Sequence, residues 1–336
     1  MRGARRGGVP ERGMTRLPRS AAVLGGGALG SVLVPALLAA RIPVALAWDR
    51  ARKPSPWSPE LHRVRHAELV LLAVTDSAVS EVCRLAAHSV GPGQIVAHCA
   101  GALDLEPLAS ARRRGAQVGS IHPLRAVPHG SGPGILRGAT AGIAGDGPET
   151  HERLAAVALA LGMTPIEVGG SRSLYHAAAM LSAGATVALF SRAVDAFRQA
   201  TGASEEVARR ALLPLATGAL SALEQHRPQE VLTGPIPRGD ATTIAAHRAA
   251  LPRDLLPLYD ELVRAALRLT PSPAIERLLR TRPPAASPAP APASRSSPRR
   301  RPPPSAARPS ASSRSPAPRD RPPAPPPRAR APRRKR

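Results

Sequence analysis

The chain is poor in aromatic side chains, with two Phe, two Trp and two Tyr in 336 residues. Its packed elements must therefore meet through Ala, Leu and Val at close approach. Lysine is almost absent: Lys53 and Lys335 are the only two, which removes lysine as an acid or base from the later half of the folded chain. Cys83 and Cys99 form neither a disulfide framework nor a metal-ligand spacing, and such cysteine usage fits a reducing cytoplasm. The ten histidines lack the paired spacing of a zinc site, so no metal is expected. No segment reaches the roughly 18 uninterrupted apolar residues of a membrane span, so no membrane partner is expected either. Acidic residues are scarce at both ends. Residues 281–336 set fifteen Lys and Arg against Asp320, and residues 1–19 set six Arg against Glu11. The net charge of +24 thus belongs to the ends, and residues 20–280 carry the balance of an ordinary soluble domain.

What is present divides the chain into four parts. Residues 1–19 read as a basic disordered extension. Arg5-Arg6 ahead of an apolar stretch imitates a twin-arginine export signal, but Arg41 interrupts that stretch and its glycines have another explanation; Met14 is an alternative start. Residues 20–168 read as a dinucleotide-binding domain and 169–280 as a helical domain. Residues 281–336, nearly all Pro, Ala, Ser and Arg, cannot bury enough apolar surface to offset chain entropy and read as a disordered tail. Such a tail could hold nucleic acid or another polyanion by charge alone, salt-sensitively and without sequence preference, although a solvated extension is the favoured reading.

"AAVLGGGALGSVLVPALLAARIPVALAWDR" spells strand, glycine turn, helix, strand. Gly25, Gly27 and Gly30 give G-x-G-x-x-G. The first glycine permits the tight turn, the second lets a pyrophosphate approach, and the third lets helix and strand pack closely. Ala28 and Leu29 open the helix whose N-terminus faces the phosphates. Asp49 stands where a ribose-binding acid belongs and favours NAD; Arg50, with Arg52 and Lys53, could hold a 2′-phosphate and favours NADP. Strand patterns at 68–76, 94–101, 117–124, 138–145 and 164–170 alternate with helices near 104–114 and 148–161. This is the pattern of a doubly wound parallel sheet, an α/β Rossmann fold. Its crevice lies at the carboxyl ends of the strands, which places Val74, Thr75, Asp76, Cys99 to Gly101 and His122 near the cofactor.

From Ser171 the strand signals stop. The spacing predicts one long Ala-rich helix over 171–202, a second over 204–226 bent at Pro214, and two more opened by Asp240 and Asp254 as N-caps. The second domain is expected to be all-α.

"GSIHPL", "LYHAAA" and above all "LTGPIPRGD", following a GxGxxG Rossmann domain, resemble the bacterial two-domain family that joins a Rossmann-like domain to the domain of unknown function 2520. That family is related to the pyrroline-carboxylate and ketopantoate reductase type of dehydrogenase. The resemblance covers roughly residues 20–270. It implies an NAD(P)-dependent oxidoreductase, tilted to NADP, acting on a small carbonyl, imine or hydroxy compound between a Rossmann domain and a helical dehydrogenase-type domain; a homodimer is expected. It also places Thr233, Arg238 and Asp240 of "LTGPIPRGD" near the interdomain cleft and reads the Arg-Gly-Asp as part of this loop, not as an adhesion signal. Two features of the loop come from its own residues. Asp240 reads as a helix cap, and Arg238 as a cation facing an anionic substrate or the cofactor phosphates.

The chain departs from the family pattern in three places. Ala100 stands where a serine is usual, Arg172 where a lysine is frequent, and Gly184 where an asparagine is usual. Arginine does not release its proton at physiological pH, so proton transfer falls to His122, His176, Tyr175, Asp240 or water. Histidine is the natural choice because its ordinary pKa lies near neutrality. The same departures motivate the runner-up, a non-catalytic NAD(P)-binding or sensing protein.

Overall fold

The computed structural model describes residues 16–49 and 59–281. Expectations for the two ends beyond these limits, and for Arg50, Arg52 and Lys53, lie outside the described residues. Of the basic N-terminal extension, residues 16–19 are described. There the Arg19 backbone N–H donates to the Glu68 carboxylate at 2.8 Å and its guanidinium pairs with the same group.

The short continuous apolar runs at 21–24, 69–72 and 95–98 become strands buried on both faces, as expected of a parallel sheet, whereas the last strand is largely exposed. The strands are β1 (Ala21–Leu24), β2 (Val44–Trp48), β3 (Leu69–Leu72), β4 (Ile95–His98), β5 (Gln117–Leu124), β6 (Thr140–Gly145) and β7 (Thr164–Glu167), in the order β2-β1-β3-β4-β5-β6-β7. The helices of this part are α1 (Ala28–Ala39), α2 (Asp76–Ala86), α3 (Ala109–Arg112) and α4 (Pro148–Ala160). Alternate strand residues point to opposite faces. Ala21, Val23, Leu69, Leu71 and Ile143 join α1 and α4 in one apolar cluster, while Ala22, Leu24, Val70, Leu72 and Val118 join α2 and α3 in another. Each fully buried Leu or Val contributes about 1.5–3 kcal/mol.

Two expectations are corrected. The sheet is parallel from β2 to β5, but β6 pairs antiparallel with β5, and β7 runs parallel to β6. A parallel return needs a crossover element. The connection 125–139 carries Pro128, Gly130, Gly132, Pro133 and Gly134 and forms only a 3₁₀ turn, Pro133–Leu136, so the chain turns back. The helix anticipated over 104–114 shrinks to a 3₁₀ turn, Glu106–Leu108, followed by α3. Pro107 sits in that turn, and the Asp104 carboxylate accepts the Glu106 N–H at 3.0 Å.

The remainder is helical. The long helix expected from 171 is continuous but changes pitch: α5 (Arg172–Met180), a π-helical turn (Leu181–Ala185), then α6 (Thr186–Thr201). The Ser171 hydroxyl caps its start, and Gly202, at φ 71°, ends it in the left-handed region. Next come α7 (Glu205–Ala222), with Pro214 inside it, the short α8 (Pro228–Val231), α9 (Ala241–Ala250), α10 (Leu256–Leu267) and α11 (Pro273–Arg280). Asp240 caps α9 as anticipated. Asp254 does not cap α10, whose N-cap is Leu255, because its carboxylate pairs with Arg192 of α6. Ile244, Val263, Leu267, Ile275 and Leu279 form a separate small core among α9, α10 and α11.

Candidate active site

The register aligns the carboxyl ends of the first four strands, since Leu24 pairs with Trp48 and Leu72 and Leu72 with His98, while β5 runs four residues past Ser120, the partner of His98, and so carries His122 beyond that line. The residues just beyond these ends share one edge of the sheet. At Gly25 the backbone has φ 125°, and an added Cβ would run into the Ala73 carbonyl. A Cβ on Gly30 would strike the Gly25 carbonyl, so the turn and the first turn of α1 touch directly. Gly27 differs: an added Cβ would meet nothing within 4 Å. Gly27 is also the N-cap of α1 without a capping side chain, so the N–H groups at Ala28, Leu29 and Gly30 begin a helix with no internal partners there. The Asp49 carboxylate lies against Gly26, where a Cβ would collide with it. Val74 packs beside Gly25, Thr75 is the N-cap of α2, and Asp76 stands in its first turn. The turn, the acid and the β3–α2 loop are thus brought together.

The second cluster forms where β5 meets α5. His122 Nδ1 lies 2.9 Å from the Tyr175 hydroxyl, and the two rings meet edge to face with centroids 5.6 Å apart. His176 lies edge-on to His122 at 5.8 Å. Gly101 lets the group close up, since a Cβ there would collide with both imidazoles. Arg172, one helical turn before Tyr175, is buried. Its Nε donates to the Leu103 carbonyl at 3.1 Å and its Nη2 to the Ala100 carbonyl at 3.0 Å, and its guanidinium carbon lies 5.5 Å from the Tyr175 ring centre. Among the described residues no carboxylate pairs with Arg172, and its Nη1 has no acceptor.

The electrostatics follow from burial and this uncompensated cation. Burial first, then His176, Arg172 and His98, pull His122 down from 6.5 to about 4, so it is neutral at physiological pH. Burial raises the Tyr175 phenol, while Arg172 and a Gly142 backbone contact oppose the rise. A neutral imidazole bonded to a protonated phenol has one proton left to offer. If the hydroxyl donates to Nδ1, Nε2 carries the free hydrogen; if Nδ1 donates, the hydroxyl keeps it.

The pair borders a cavity of about 620 Å³, also lined by His176, Arg125, Ile166 and Ser182. Thr233, Arg238 and Asp240 are not among the residues lining it. Their loop is tied to the far helices. Asp240 accepts the Thr243 N–H at 3.0 Å and the Thr243 hydroxyl at 2.6 Å, Ile236 packs into the small core, and Gly239, at φ 68°, turns the chain beside Ser272. The Thr243 contacts, above all its hydroxyl, hold the Asp240 carboxyl below its usual range. Arg238 is exposed.

Sequence reasoning missed the part played by Arg172, which bonds the Ala100 and Leu103 carbonyls. Position 172 stands three residues before Tyr175, hence on the same helical face, and that spacing was the available signal. Cys99 is buried, with its thiol pushed up to about 12 by desolvation, so it stays protonated.

Two family descriptions match the chain: "Rossmann-like domain" over residues 17–123 and "Domain of unknown function (DUF2520)" over 139–266. No curated protein matches it. Among solved structures, a Bacteroides fragilis protein described as an NADP oxidoreductase is 20% identical, with 74% of this chain and 97% of that one covered and a TM-score of 0.59. A Thermotoga maritima protein is 20% identical over 77% and 100% of the two chains, at 0.56. Plasmodium falciparum pyrroline carboxylate reductase with NADP bound is 16% identical over 79% and 98%, at 0.50. At these identities the likeness is one of fold.

Proposed function

Because the chain belongs to the family that joins a Rossmann-like domain to the domain of unknown function 2520, we propose that it is an NAD(P)-dependent oxidoreductase. NADP is the favoured cofactor, and the substrate is a small carbonyl, imine or hydroxy compound bound in the cavity at His122. The observation that carries the reading is the His122–Tyr175 pair, one proton in hand, beside a cavity on the sheet edge that also bears the glycine turn. The residues fit a dinucleotide. Space at Gly27 and the unpaired N–H groups of the first turn of α1 suit a pyrophosphate, and Asp49 beside the turn suits a ribose. NADP is the ligand named for the Plasmodium reductase and in the description of the Bacteroides protein.

When bound, the nicotinamide supplies or accepts a hydride at carbon. The chain's own residues handle the proton. In the reducing direction the His122–Tyr175 pair donates to the substrate's oxygen or nitrogen as the adjacent carbon becomes C–H, so one hydride and one proton complete the reduction. Arg172 fixes the loop at Ala100 and Leu103 against α5 and keeps positive charge beside the phenol, which makes Tyr175 a better donor than burial alone allows. His176 closes one side of the site. Depressed as it is, His122 works as a neutral relay in the pair and not as an imidazolium.

NADPH titration tests the cofactor reading. Gly27→Val should weaken binding at least tenfold with the melting temperature unchanged, because the side chain enters free space that the pyrophosphate must occupy. Gly25→Ala should instead destabilise the fold. Unchanged affinity in a folded Gly27→Val protein refutes the site. A carbonyl, imine and hydroxy-acid screen, read by nicotinamide absorbance, tests the reaction. NADPH binding with no turnover on any member would favour the sensing alternative.

A further inference from the structure

A second cavity, of about 600 Å³, opens where α1 and α4 both end. Ala36, Ala39 and Ala40, Leu159 and Ala160 of α4, and Arg137 of the β5–β6 connection stand in its wall. It shares no lining residue with the cavity at His122, and its size lies in the range of small-molecule sites. The proposed reaction makes no use of it.

Three features of the wall define what fits. The first is a placed cation. The Arg137 stem lies on the Gly162 turn, where an added Cβ would meet its Cγ at 3.1 Å. Among the described residues no carboxylate pairs with its guanidinium. The second is a pair of helix ends. A helix carries partial negative charge at its carboxyl end, and neither α1 nor α4 has a basic residue in its last turn. Among the described residues no hydrogen bond reaches the carbonyls of Ala39, Ala40 and Ala160. Pro43 has no N–H to offer Ala39, and the Thr164 N–H goes to Ala139 instead of Ala160. Arg41, next after the α1 cap, is not among the lining residues. The third feature is hydrocarbon, supplied by Ala36, Leu159 and Leu161.

A simple anion would suit Arg137 but meet the negative helix ends. A simple amine would suit the helix ends but meet Arg137. A molecule that carries a carboxylate and an ammonium on one carbon satisfies both. We propose that this cavity binds a small aliphatic amino acid as its zwitterion, with the carboxylate on Arg137, the ammonium on the open carbonyls and the side chain on the alanine and leucine wall. The β5–β6 connection carries the consequence. Arg125 and Ala126 line the cavity at His122, while Pro133, Gly134 and Arg137 line the second cavity. Leu136 is fully buried in the core that Ala36 and Leu37 share, so this end of the connection is anchored where the ligand binds. An occupant therefore restrains the segment that also walls the reaction site. The inference is independent of the assigned reaction, since binding requires neither dinucleotide nor turnover.

Calorimetry of the full chain with L-leucine as the probe, joined to hydrogen exchange, tests it. L-Leucine should bind one to one. N-acetyl-L-leucine, which lacks the ammonium, and isopentylamine, which lacks the carboxylate, should each bind at least tenfold more weakly. Arg137→Met should weaken L-leucine binding at least tenfold. Gly134→Val, which sends a side chain into open space at the cavity, should do the same, with the melting temperature unchanged in both variants. Bound L-leucine should slow amide exchange over 125–137 in the wild type and in neither variant. Tyr175→Phe, in the other cavity, should leave the affinity for L-leucine unchanged. Absence of binding at millimolar L-leucine overturns the proposal. So does binding that survives both Arg137→Met and Gly134→Val, or an affinity equalled by the acetylated acid or the amine. Binding lost in Tyr175→Phe and kept in Arg137→Met would move the amino acid to the cavity at His122 and refute the second site.

Discussion

The protein builds a His–Tyr pair twice, each time beside a buried arginine, and the two pairs behave differently. Both tyrosines of the chain are used. His122 and Tyr175 meet at 2.9 Å with rings 80° apart, and His247 and Tyr259 at 2.8 Å with rings 82° apart. The contact geometry is nearly the same, so geometry does not separate a reactive pair from a structural one. The neighbouring arginine does. Arg248 is held by both oxygens of Asp260, at 3.0 and 3.1 Å, and by the carbonyls of Leu278 and Thr281, so its charge is spent inside α9–α11. Arg172 has carbonyls but no carboxylate, and its charge reaches His122 and Tyr175. The first pair borders a cavity, whereas His247 is exposed on α9. The proposed proton transfer rests on an uncompensated cation beside a pocket, whereas the same contact elsewhere joins two helices.

The largest expected break in this comparison is kinetic. Tyr175→Phe removes the hydroxyl from the proton path and should lower turnover by about 10²–10⁴-fold, the range of a lost general acid. Tyr259→Phe, the matching change in the other pair, should leave turnover unchanged under the same assay. Equal losses in both would show that the two pairs do not differ in kind. Next in size is Arg248→Met. It strands the Asp260 carboxylate in the small core and should cost about 3–5 kcal/mol in urea unfolding, with NADPH affinity per folded molecule retained.

Arg172→Met should cost less, about 1–3 kcal/mol for two carbonyls left without donors, because no buried carboxylate is orphaned. Its signature is electrostatic. In a Tyr259→Phe background Tyr175 is the only tyrosine, and its phenolate absorbance can be titrated alone. Loss of the cation should move that titration upward. An unchanged Tyr175 titration would reduce Arg172 to a packing residue.

The sequence carried the sheet more clearly than the site. β5 was legible to the residue as 117–124, since an apolar run bounded by Gly115 and Arg125 leaves few choices. The reversal at β6 was not, because it depends on what the 125–139 connection fails to build. The π turn at 181–185 was hidden in an unbroken helical pattern. Its loosened carbonyls at Leu181 and Ser182 are taken up by the Thr186 hydroxyl, at 3.3 and 3.1 Å, a compensation that no periodicity displays. Each of His122, Tyr175 and His176 could be named in advance as a proton carrier. Their partnership spans 53 positions and exists only once α5 docks on β5. Arg172 read as a missing lysine because a sequence shows which side chain is present, not what its guanidinium holds. The 232–240 loop was legible as stiff and as ending in a cap at Asp240, but nothing in the prolines says which surface it faces.

Acid should separate the pairs further. His122 binds its proton less tightly in the folded chain than in the unfolded one, so protonation favours unfolding. Its contribution is whole above about pH 6.5, the ordinary histidine value, and falls as pH drops toward about 4. Below that, both states are protonated and no further loss arises from this group. The full interval corresponds to at most about 3 kcal/mol, reduced by solvent at the cavity mouth. His122→Gln should therefore lose less stability than the wild type between pH 7 and 4.5 in urea titrations. Equal losses in both would mean that His122 is charged in the folded protein and cannot be the neutral relay.

The smallest effect belongs to the second pair's hydrogen bond. Tyr259→Phe keeps the ring and its edge-on contact with His247 and deletes only the hydroxyl 2.8 Å from Nδ1. A neutral bond of this kind contributes about 0.5–1.5 kcal/mol. Exposure of His247 lets water replace the lost partner, which puts the expected cost at the lower end. Thermal unfolding of Tyr259→Phe should thus fall by only a few degrees. A loss comparable to that of Arg248→Met would show that the hydroxyl, and not the Arg248–Asp260 pair, holds α9 to α10. The second pair would then have to be counted as a core element, and the contrast with His122–Tyr175 would rest on the cavity alone.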